Sequence, residues 1–300
     1  MENDTQDRKL YGLVGRNINY SLSPAMHNAA FKHFGISAEY RLFDTAEEDL
    51  EAFLSENVFS GRLSGFNVTV PYKIRVRQLL EKCSLLEVET TDWVDIIGSV
   101  NTVKVDGRKV LLDNTDAYGF YQSLRDEAKL TLAGKQVFVA GAGGAGRVLA
   151  LYMATLRKDL PLSVKVYDVD RDKLAELEEI YSKQLSSGGT ISALEAASSP
   201  LEAKGCDLVV NATPLGMKET DPLPVPSEVL EEGMTVYDLV YAHETPLVRA
   251  AREKGLTALN GLGMLVGQGA FAFCIWTGTP ASEGRPVMER AALRELEAIR

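Results

Sequence analysis

Apolar and polar positions alternate in short blocks along the first seventy residues of the chain. Three blocks have the apolar character of strands, namely LYGLV (10–14), AEYRLF (38–43) and GFNVTV (65–70). Between the first two strands, we expect a helix with Ser23 as its N-cap and Pro24 at its first position. Residues 46–56 form an acidic amphipathic helix pattern. Strands that alternate with helices predict a mainly parallel sheet with helices on its faces.

The third predicted strand runs into a proline and then a lysine. Alternation separates its faces into Phe66, Val68 and Val70 on one side and Asn67 and Thr69 on the other. Pro71 has no N–H to donate to a ladder, so the strand ends or lies at an edge there. Lys73 is therefore expected where the chain leaves the sheet. A solvated side chain is the simpler interpretation of this stretch alone, because most lysines are exposed.

A second alternation of strands and helices begins after Gly119. Its predicted strands are QVFVA (136–140), VKVYD (164–168), DLVVN (207–211) and MTVYDLV (234–240). A helix is expected from Arg171 to Gln184, and the segment from Val287 onward has an amphipathic helical pattern. Before this restart, VNTVKV and KVLLD flank residues 106–108, which is typical of a hairpin. Three hundred residues are enough for two αβ domains, each with its own core.

Composition and charge exclude several classes of function. The chain is 45% hydrophobic and 25% charged, as in an average globular protein. Its net charge is −10 and it has no dense Lys/Arg cluster, so we expect no nucleic-acid partner. The apolar segment 264–276 is shorter than the roughly 20 residues of a membrane span, so we expect no membrane association. Three widely spaced cysteines without a CxxC pair favour the cytoplasm, and the three histidines are not spaced as metal ligands.

The segment GAGGAG, residues 141–146, matches the dinucleotide-binding pattern G-x-G-x-x-G. It follows a predicted strand and opens a predicted helix, where glycines let backbone N–H groups approach a pyrophosphate. The cofactor-binding residues of this loop are predicted to be Gly141, Ala142, Gly143, Gly144, Ala145 and Gly146. Asp168 lies about 20 residues later at the end of the next strand, a spacing typical of a ribose-binding acid. Enzymes that use S-adenosylmethionine have related loops, so this motif alone leaves the cofactor open.

Asp168 bears on the choice between NAD and NADP. A carboxylate can accept hydrogen bonds from the ribose hydroxyls of NAD, but it repels the 2′-phosphate of NADP by about 4 kcal/mol at a separation of about 4 Å and an effective dielectric of about 20. Asp170 adds to this repulsion. Arg147 and Arg171 could offset it, and Arg171 is included among the predicted cofactor residues. The residues therefore favour NAD.

Eight segments resemble, in order, those of the shikimate dehydrogenase family: YSLSPAMHNAAF, NVTVPYK, GSVNT, DNTDAYGF, GAGGAG, NATPLGM, YDLVY and GLGMLVGQGAFAFCIWTG. The resemblance extends from Tyr11 to about Gly278. It implies an α/β fold with two αβ domains on either side of a cleft that holds the substrate. Residues 1–116 and 261–300 would form a discontinuous substrate-binding domain, and residues 117–260 a Rossmann-like NAD(P)-binding domain.

The resemblance also implies roles for individual residues. Lys73 and Asp116 match the family's catalytic pair, in which the lysine relays a proton of the C3 hydroxyl of shikimate while a hydride moves to or from the nicotinamide. Substrate contacts are implied for Ser21, Ser23, Thr69, Asn101, Tyr241 and Gln268. Residues that resemble the nicotinamide side of the cofactor site are Asn211, Thr213, Leu239 and Gly261. Simpler interpretations stay open, such as a helix cap for Ser23 or a core hydrogen bond for Gln268.

The chain departs from the family pattern at several positions. Where NADP-using members have Asn-Arg-Thr, this chain has Asp-Val-Asp at 168–170, which removes the usual phosphate clamp. Tyr20 replaces the usual histidine and Asn17 the usual proline, both close to the carboxylate site. Asp113 replaces a more usual glycine, and nothing in the sequence explains that change.

Three functions are compatible with these features. The first is a shikimate dehydrogenase of aromatic amino-acid biosynthesis, a monomer or homodimer that reversibly reduces 3-dehydroshikimate with NAD(P)H. The second is an NAD-dependent quinate/shikimate dehydrogenase of broader substrate range, which the acid at 168 favours. The third is a ligand-sensing homologue without catalysis, against which the presence of both Lys73 and Asp116 argues.

Overall fold

The computed structural model describes residues 8–156, 158–186 and 192–299. The chain divides into two compact units. The first unit extends to Gly119 and resumes at Val266, and the second comprises Phe120–Leu265. Within the described residues, no helix combines the length and apolar character that crossing a bilayer would need.

The elements of the N-terminal part follow the predicted alternation. In chain order they are β1 (Lys9–Gly15), α1 (Ser23–His33), β2 (Ala38–Asp44), α2 (Leu50–Leu54), β3 (Gly65–Val68), α3 (Lys73–Lys82), β4 (Glu87–Thr90), α4 (Asp92–Ile97), β5 (Thr102–Asp106), β6 (Lys109–Asp113) and α5 (Asp116–Asp126). The strands form one sheet in the order β2-β1-β3-β5-β6-β4. β5 runs antiparallel to β3 and β6, while the other neighbours are parallel, so this sheet is mixed.

The remaining elements are β7 (Gln136–Ala140), α6 (Gly144–Thr155), β8 (Ser163–Tyr167), α7 (Arg171–Ser186), β9 (Ala193–Ala196), β10 (Leu208–Asn211), β11 (Thr235–Asp238), α8 (Pro246–Glu253), β12 (Thr257–Leu259), α9 (Leu262–Thr277) and α10 (Ala281–Ile299). Their strands form a second sheet in the order β12-β11-β10-β7-β8-β9, with every neighbouring pair parallel. This is the doubly wound arrangement that places loops of a binding site at the carboxyl ends of the strands. The predicted α/β class with two sheets is confirmed.

Each sheet has its own core. In the first unit, Phe66, Val68 and Val103 are buried together with residues of the flanking helices. In the second, Phe138 and Val209 belong to a separate cluster under α8. Both clusters consist mainly of aliphatic and aromatic side chains. The burial of their apolar surface is the dominant favourable contribution to each unit's stability.

Two local predictions are wrong. β3 ends at Val68 instead of Val70, because Tyr72 N–H donates to the Thr69 carbonyl and turns the chain, which leaves Val70 68% exposed. Ser23 is the first helical residue of α1 and not its N-cap, which is Leu22. Ser21 lies just before that N-cap, and its hydroxyl oxygen accepts a hydrogen bond from Ser23 N–H at 3.2 Å.

The predicted acidic helix over residues 46–56 is also less regular than expected. A 3₁₀ turn (Glu47–Asp49) leads into α2, and a π-helical turn (Ser55–Phe59) follows it. The buried side chains Leu50, Phe53 and Leu54 anchor this segment to the core.

Candidate active site

Lys73 and Asp116 form an ion pair in the first unit. Each is the first residue of a helix, α3 and α5 respectively. Lys73 Nζ lies 2.5 Å from Asp116 Oδ2, and the two side chains are 19% and 10% exposed. An ammonium group held by a carboxylate at a partly exposed position can exchange a proton with a ligand and stay oriented while it does so.

Asn101 fixes the other oxygen of the aspartate. Its side-chain N–H donates to Asp116 Oδ1 at 2.7 Å. Its side-chain carbonyl accepts from Thr115 N–H at 2.7 Å and from the Thr102 hydroxyl at 2.8 Å. The direction of the amide is therefore determined, because only an N–H can face a carboxylate. The structure thus brings together three residues that the sequence assigned to the site.

The loop that carries Asp116 is held by its preceding residues. Asp113 Oδ1 accepts from Asn114 N–H at 2.7 Å and from the Thr91 hydroxyl at 3.0 Å. Asn114 in turn accepts from Asp116 N–H at 3.2 Å. Burial raises the pKa of Asp113 from its ordinary value. These bonds supply the physical account of Asp113 that the sequence lacked: its carboxylate ties the loop to the N-cap of α4.

The residues predicted to contact substrate occupy several elements. Ser21 donates from its hydroxyl to the Ser23 hydroxyl oxygen at 3.2 Å, so this pair lies together at the start of α1. Thr69 is half-buried in the turn after β3. Gln268 is buried in the α9 segment that belongs to the first unit. Tyr241 is half-buried in the second unit, in the loop after β11.

The glycine loop in the second unit has the form expected of a pyrophosphate site. Gly141 has φ +102°, a conformation that favours glycine. A Cβ at Gly146 would lie 1.9 Å from the Gly141 carbonyl oxygen, so close packing of helix on loop requires a glycine there. At Gly143 and Gly144 an added Cβ would meet nothing within 4 Å. The loop, with Ala142 and Ala145, therefore leaves the N-terminus of α6 open to an anion, and its residues fit a dinucleotide.

Asp168 braces this loop. Its Oδ2 accepts from Ala142 N–H at 2.8 Å, and its Oδ1 accepts from Asp170 N–H at 2.9 Å. Arg171 is exposed and directs its guanidinium to the carbonyls of Ala197 and Ser198, at 3.4 and 3.3 Å. The acid thus lies at the glycine loop, while the arginine donates to carbonyls of the loop after β9.

The ends of β10 and β11 are joined through a buried carboxylate. Asn211 donates to Asp238 Oδ1 at 3.0 Å and accepts from Thr213 N–H at 3.0 Å. Asp238 Oδ2 accepts from the Thr245 hydroxyl at 2.7 Å, and burial raises the pKa of Asp238. The sequence did not single out Asp238. An acid at the end of an otherwise apolar strand was the available signal, because a buried carboxylate needs several partners.

Leu239 and Gly261 are also adjacent. Leu239 N–H donates to the Asn211 carbonyl at 3.0 Å, which continues the β10–β11 ladder. A Cβ at Gly261 would lie 2.0 Å from the Leu239 carbonyl oxygen, so this close backbone approach requires a glycine. The four residues predicted for the nicotinamide side therefore lie on adjoining segments of the second unit.

Several known proteins resemble this chain over most of its length. The family described as the shikimate dehydrogenase substrate binding domain matches residues 13–103, and the shikimate 5'-dehydrogenase C-terminal domain matches residues 261–293. The shikimate dehydrogenase (NADP(+)) of Methanopyrus kandleri is 36% identical over 293 residues, which cover 97% of each protein.

Two solved structures extend this comparison. Shikimate 5-dehydrogenase from Thermus thermophilus, in complex with NADP(H) and shikimate, has a TM-score of 0.79 and 32% identity, over 96% of this chain and 99% of that one. Quinate dehydrogenase from Corynebacterium glutamicum, in complex with NAD, has a TM-score of 0.78 and 29% identity, over 93% and 98%.

The named relatives, which match nearly the whole chain, show an NAD(P)-dependent oxidoreductase. The chain belongs to the shikimate dehydrogenase family. The resemblance inferred from the eight sequence segments is therefore confirmed.

Proposed function

We propose that this protein is a shikimate dehydrogenase that catalyses the reversible NAD(P)H-dependent reduction of 3-dehydroshikimate to shikimate. The observation that carries this proposal is the Asn101–Asp116–Lys73 arrangement, in which both carboxylate oxygens are engaged and the lysine is oriented. Family relatives named shikimate dehydrogenase favour this substrate over quinate.

Lys73 is proposed as the proton relay. In the direction of reduction, its ammonium group gives a proton to the C3 carbonyl oxygen, and the hydroxyl of shikimate results. In oxidation the neutral amine takes that proton back. When bound, the nicotinamide supplies or accepts the hydride at C3. Asp116 holds Lys73 Nζ and is proposed to hydrogen-bond the reacting hydroxyl with its remaining acceptor capacity.

The other substrate contacts are proposals that rest on family motifs and on placement. Ser21 and Ser23 are adjacent and offer hydroxyl donors suited to the substrate carboxylate. Asn101 is proposed to bind a ring hydroxyl. Thr69, Tyr241 and Gln268 are assigned to substrate by their match to the family pattern.

The second unit is proposed to bind the dinucleotide, and the first unit, the substrate. The loop from Gly141 to Gly146 would hold the pyrophosphate at the N-terminus of α6. The nicotinamide side would be lined by Asn211, Thr213, Leu239 and Gly261. We further propose a cytoplasmic monomer or homodimer without a nucleic-acid partner.

We propose a preference for NAD, although relatives are named for NADP(+). The Asp168 carboxylate lies beside the glycine loop, where it accepts a hydrogen bond from Ala142 N–H and where its charge would oppose a 2′-phosphate. The Arg171 guanidinium, which could offset that charge, is engaged with the carbonyls of Ala197 and Ser198. The position after Asp168, where NADP-using members have arginine, is Val169, which is 85% exposed.

The test is an assay of nicotinamide absorbance with shikimate, with NAD and NADP supplied separately, and then with quinate. Turnover of shikimate supports the activity, and a higher kcat/KM with NAD supports the cofactor preference. Preference for NADP would contradict the role of Asp168. Quinate turnover that equals or exceeds shikimate turnover would favour the quinate/shikimate alternative. Absence of turnover with either cofactor would refute the enzymatic proposal.

A further inference from the structure

A chain of buried hydrogen bonds extends from Tyr40 to Asp116, the partner of Lys73, within the first unit. The Tyr40 hydroxyl donates to Asn67 Oδ1 at 2.8 Å. The Asn67 side-chain amide donates to the backbone carbonyl of Asn101 at 3.1 Å and to the Thr102 hydroxyl oxygen at 3.0 Å. Thr102 then donates to Asn101 Oδ1, and the Asn101 amide reaches Asp116.

The sheet makes this connection possible. Tyr40 is on β2 and Asn67 is on β3, and β1 lies between them, with Tyr11 opposite Tyr40 and Leu13 opposite Asn67. Neighbouring strands are about 4.8 Å apart, so a side chain that bridges two strand spacings must be long. A tyrosine has that reach and ends in a group that both donates and accepts.

The direction of the Tyr40–Asn67 bond is determined. Asn67 Oδ1 can only accept, so the tyrosine hydroxyl must donate to it. If the Asn67 amide were reversed, its oxygen would face the Asn101 carbonyl, which is another acceptor. Without the tyrosine hydroxyl, a buried acceptor would lose its donor and the orientation of Asn67 would lose one of its constraints.

The environment of Tyr40 keeps its hydroxyl protonated and its ring in place. Burial raises the pKa of Tyr40 well above its ordinary value. The His27 ring stacks on it with 4.4 Å between centroids and 7° between planes. Both side chains are buried, so a phenylalanine would preserve the packing and remove only the hydroxyl.

We propose that Tyr40 is a positioning residue for the reaction: its hydroxyl holds Asn67 in place and, through Asn67 and Thr102, orients the Asn101–Asp116–Lys73 arrangement. The kinetic part of this inference rests on the function proposed above. The coupling itself depends only on the contacts within the first unit.

The test compares full-length Tyr40→Phe with a matched control, Tyr181→Phe. Tyr181 lies in α7 of the second unit, and its hydroxyl donates to the Ser192 carbonyl at 2.7 Å. The control therefore also loses one tyrosine hydroxyl bond. For Tyr40→Phe we expect kcat/KM for shikimate to fall by about tenfold to a hundredfold, because a buried acceptor is left without its donor. The KM for the dinucleotide should stay unchanged. The control should keep the wild-type values for both substrates, and thermal unfolding of both variants shows whether they fold.

A second measurement does not depend on activity. The side-chain amide signals of Asn67 and Asn101, followed by nuclear magnetic resonance, should shift in Tyr40→Phe and remain in place in Tyr181→Phe.

Three results have distinct meanings. A folded Tyr40→Phe protein with wild-type kcat/KM for shikimate would overturn the positioning role. Unshifted Asn101 signals would overturn the coupling. If the wild-type protein fails to turn over shikimate, the proposed function fails, and the amide signals alone then decide whether Tyr40 is coupled to Asn101.

Discussion

The side-chain amide of Asn101 donates to Asp116 Oδ1, while Lys73 occupies Oδ2 of the same carboxylate. The aspartate is therefore held from two sides by one neutral and one charged donor. The side-chain carbonyl of Asn101 is itself fixed by hydrogen bonds from Thr115 and Thr102. The position of the lysine therefore depends on residues of β5 and of the loop before α5.

Replacement of Lys73 by alanine should reduce kcat with shikimate by about 10²- to 10⁴-fold, the contribution of a positioned general acid–base. The dissociation constant of the dinucleotide should stay the same, because its proposed site is in the other unit. Steady-state kinetics and fluorescence titration with the dinucleotide measure the two quantities. Lys82→Ala, at the exposed end of the same helix, is the control, and equal losses in both variants would contradict a catalytic role for Lys73.

Asn101→Asp should reduce kcat/KM for shikimate by more than Asn101→Ser. The new carboxylate would face Asp116 Oδ1 across the present 2.7 Å contact, and two like charges at that distance disfavour ionisation of both. The loss with aspartate should diminish toward lower pH, where one carboxyl of the pair is protonated. A pH profile that is parallel for the two variants would refute this explanation.

Gly146→Ala should affect the stability of the fold, whereas Gly144→Ala should affect the binding of the dinucleotide. A methyl group at Gly146 would collide with the Gly141 carbonyl oxygen, so we expect destabilisation by about 1–3 kcal/mol, measured by urea unfolding. At Gly144 the methyl group meets open space, so the free energy of unfolding should stay unchanged or increase slightly. It would stand at the helix N-terminus, however, and should raise KM for the dinucleotide. Equal behaviour of the two variants would argue against a pyrophosphate site in this loop.

Asp168→Asn should increase the ratio of kcat/KM with NADP to that with NAD by at least about tenfold, since it removes a charge from the proposed ribose site. Asparagine keeps one oxygen, which can accept from Ala142 N–H, but it gives up the bond from Asp170 N–H, so thermal unfolding of the variant is measured beside the kinetics. Asp172→Asn, an exposed acid in the first turn of α7, is the charge-matched control. An unchanged ratio in Asp168→Asn would show that this carboxylate does not select the cofactor.

His27 should make the fold sensitive to acid. Burial lowers its pKa from 6.5 to about 3, so the folded state favours the neutral ring. The unfolded chain binds a proton below about pH 6.5, and the free energy of unfolding should therefore fall by up to about 1.4 kcal/mol per pH unit between there and about pH 3. Burial raises the pKa of Asp113 and Asp238, which acts in the opposite sense because it favours their protonated forms in the fold.

The measurement is urea unfolding at about pH 7, 6 and 5, within the window in which an ordinary histidine titrates. His27→Gln should show a smaller decrease in unfolding free energy with acidification than the wild type. His33→Gln, which alters an exposed histidine of the same helix, should retain the wild-type slope. Identical slopes in all three proteins would contradict a buried neutral His27.

Much of the fold could be predicted from sequence because its strands are apolar runs bounded by glycine, proline or polar residues. The errors occurred where a local hydrogen bond competed with the preference that the residue type suggested. Val70 continues the alternation of β3, but the Thr69–Tyr72 hydrogen bond turns the chain. Ser23 has a strong N-cap preference, yet Ser21 supplies the side-chain acceptor at the start of α1.

The candidate site was predictable where a short motif carries it and not where it depends on distant pairs. The glycine loop and Lys73 lie within contiguous patterns. Tyr40 and Asn67 belong to different strands, and only the sheet order β2-β1-β3 reveals that one can reach the other. A single sequence does not show which strands are neighbours, so polar connections of this type require the structure.

The hydrogen bond between Asp168 and Ala142 constrains how this lineage can change its cofactor over evolutionary time. Any substitution at position 168 has to replace an acceptor that supports the glycine loop as well as a charge. Alanine or arginine would give up both carboxylate acceptors in a single step, whereas asparagine removes the charge and retains one oxygen for Ala142 N–H. If the proposed preference for NAD holds, we therefore expect a change toward NADP to begin with asparagine and to add a neighbouring cation afterwards.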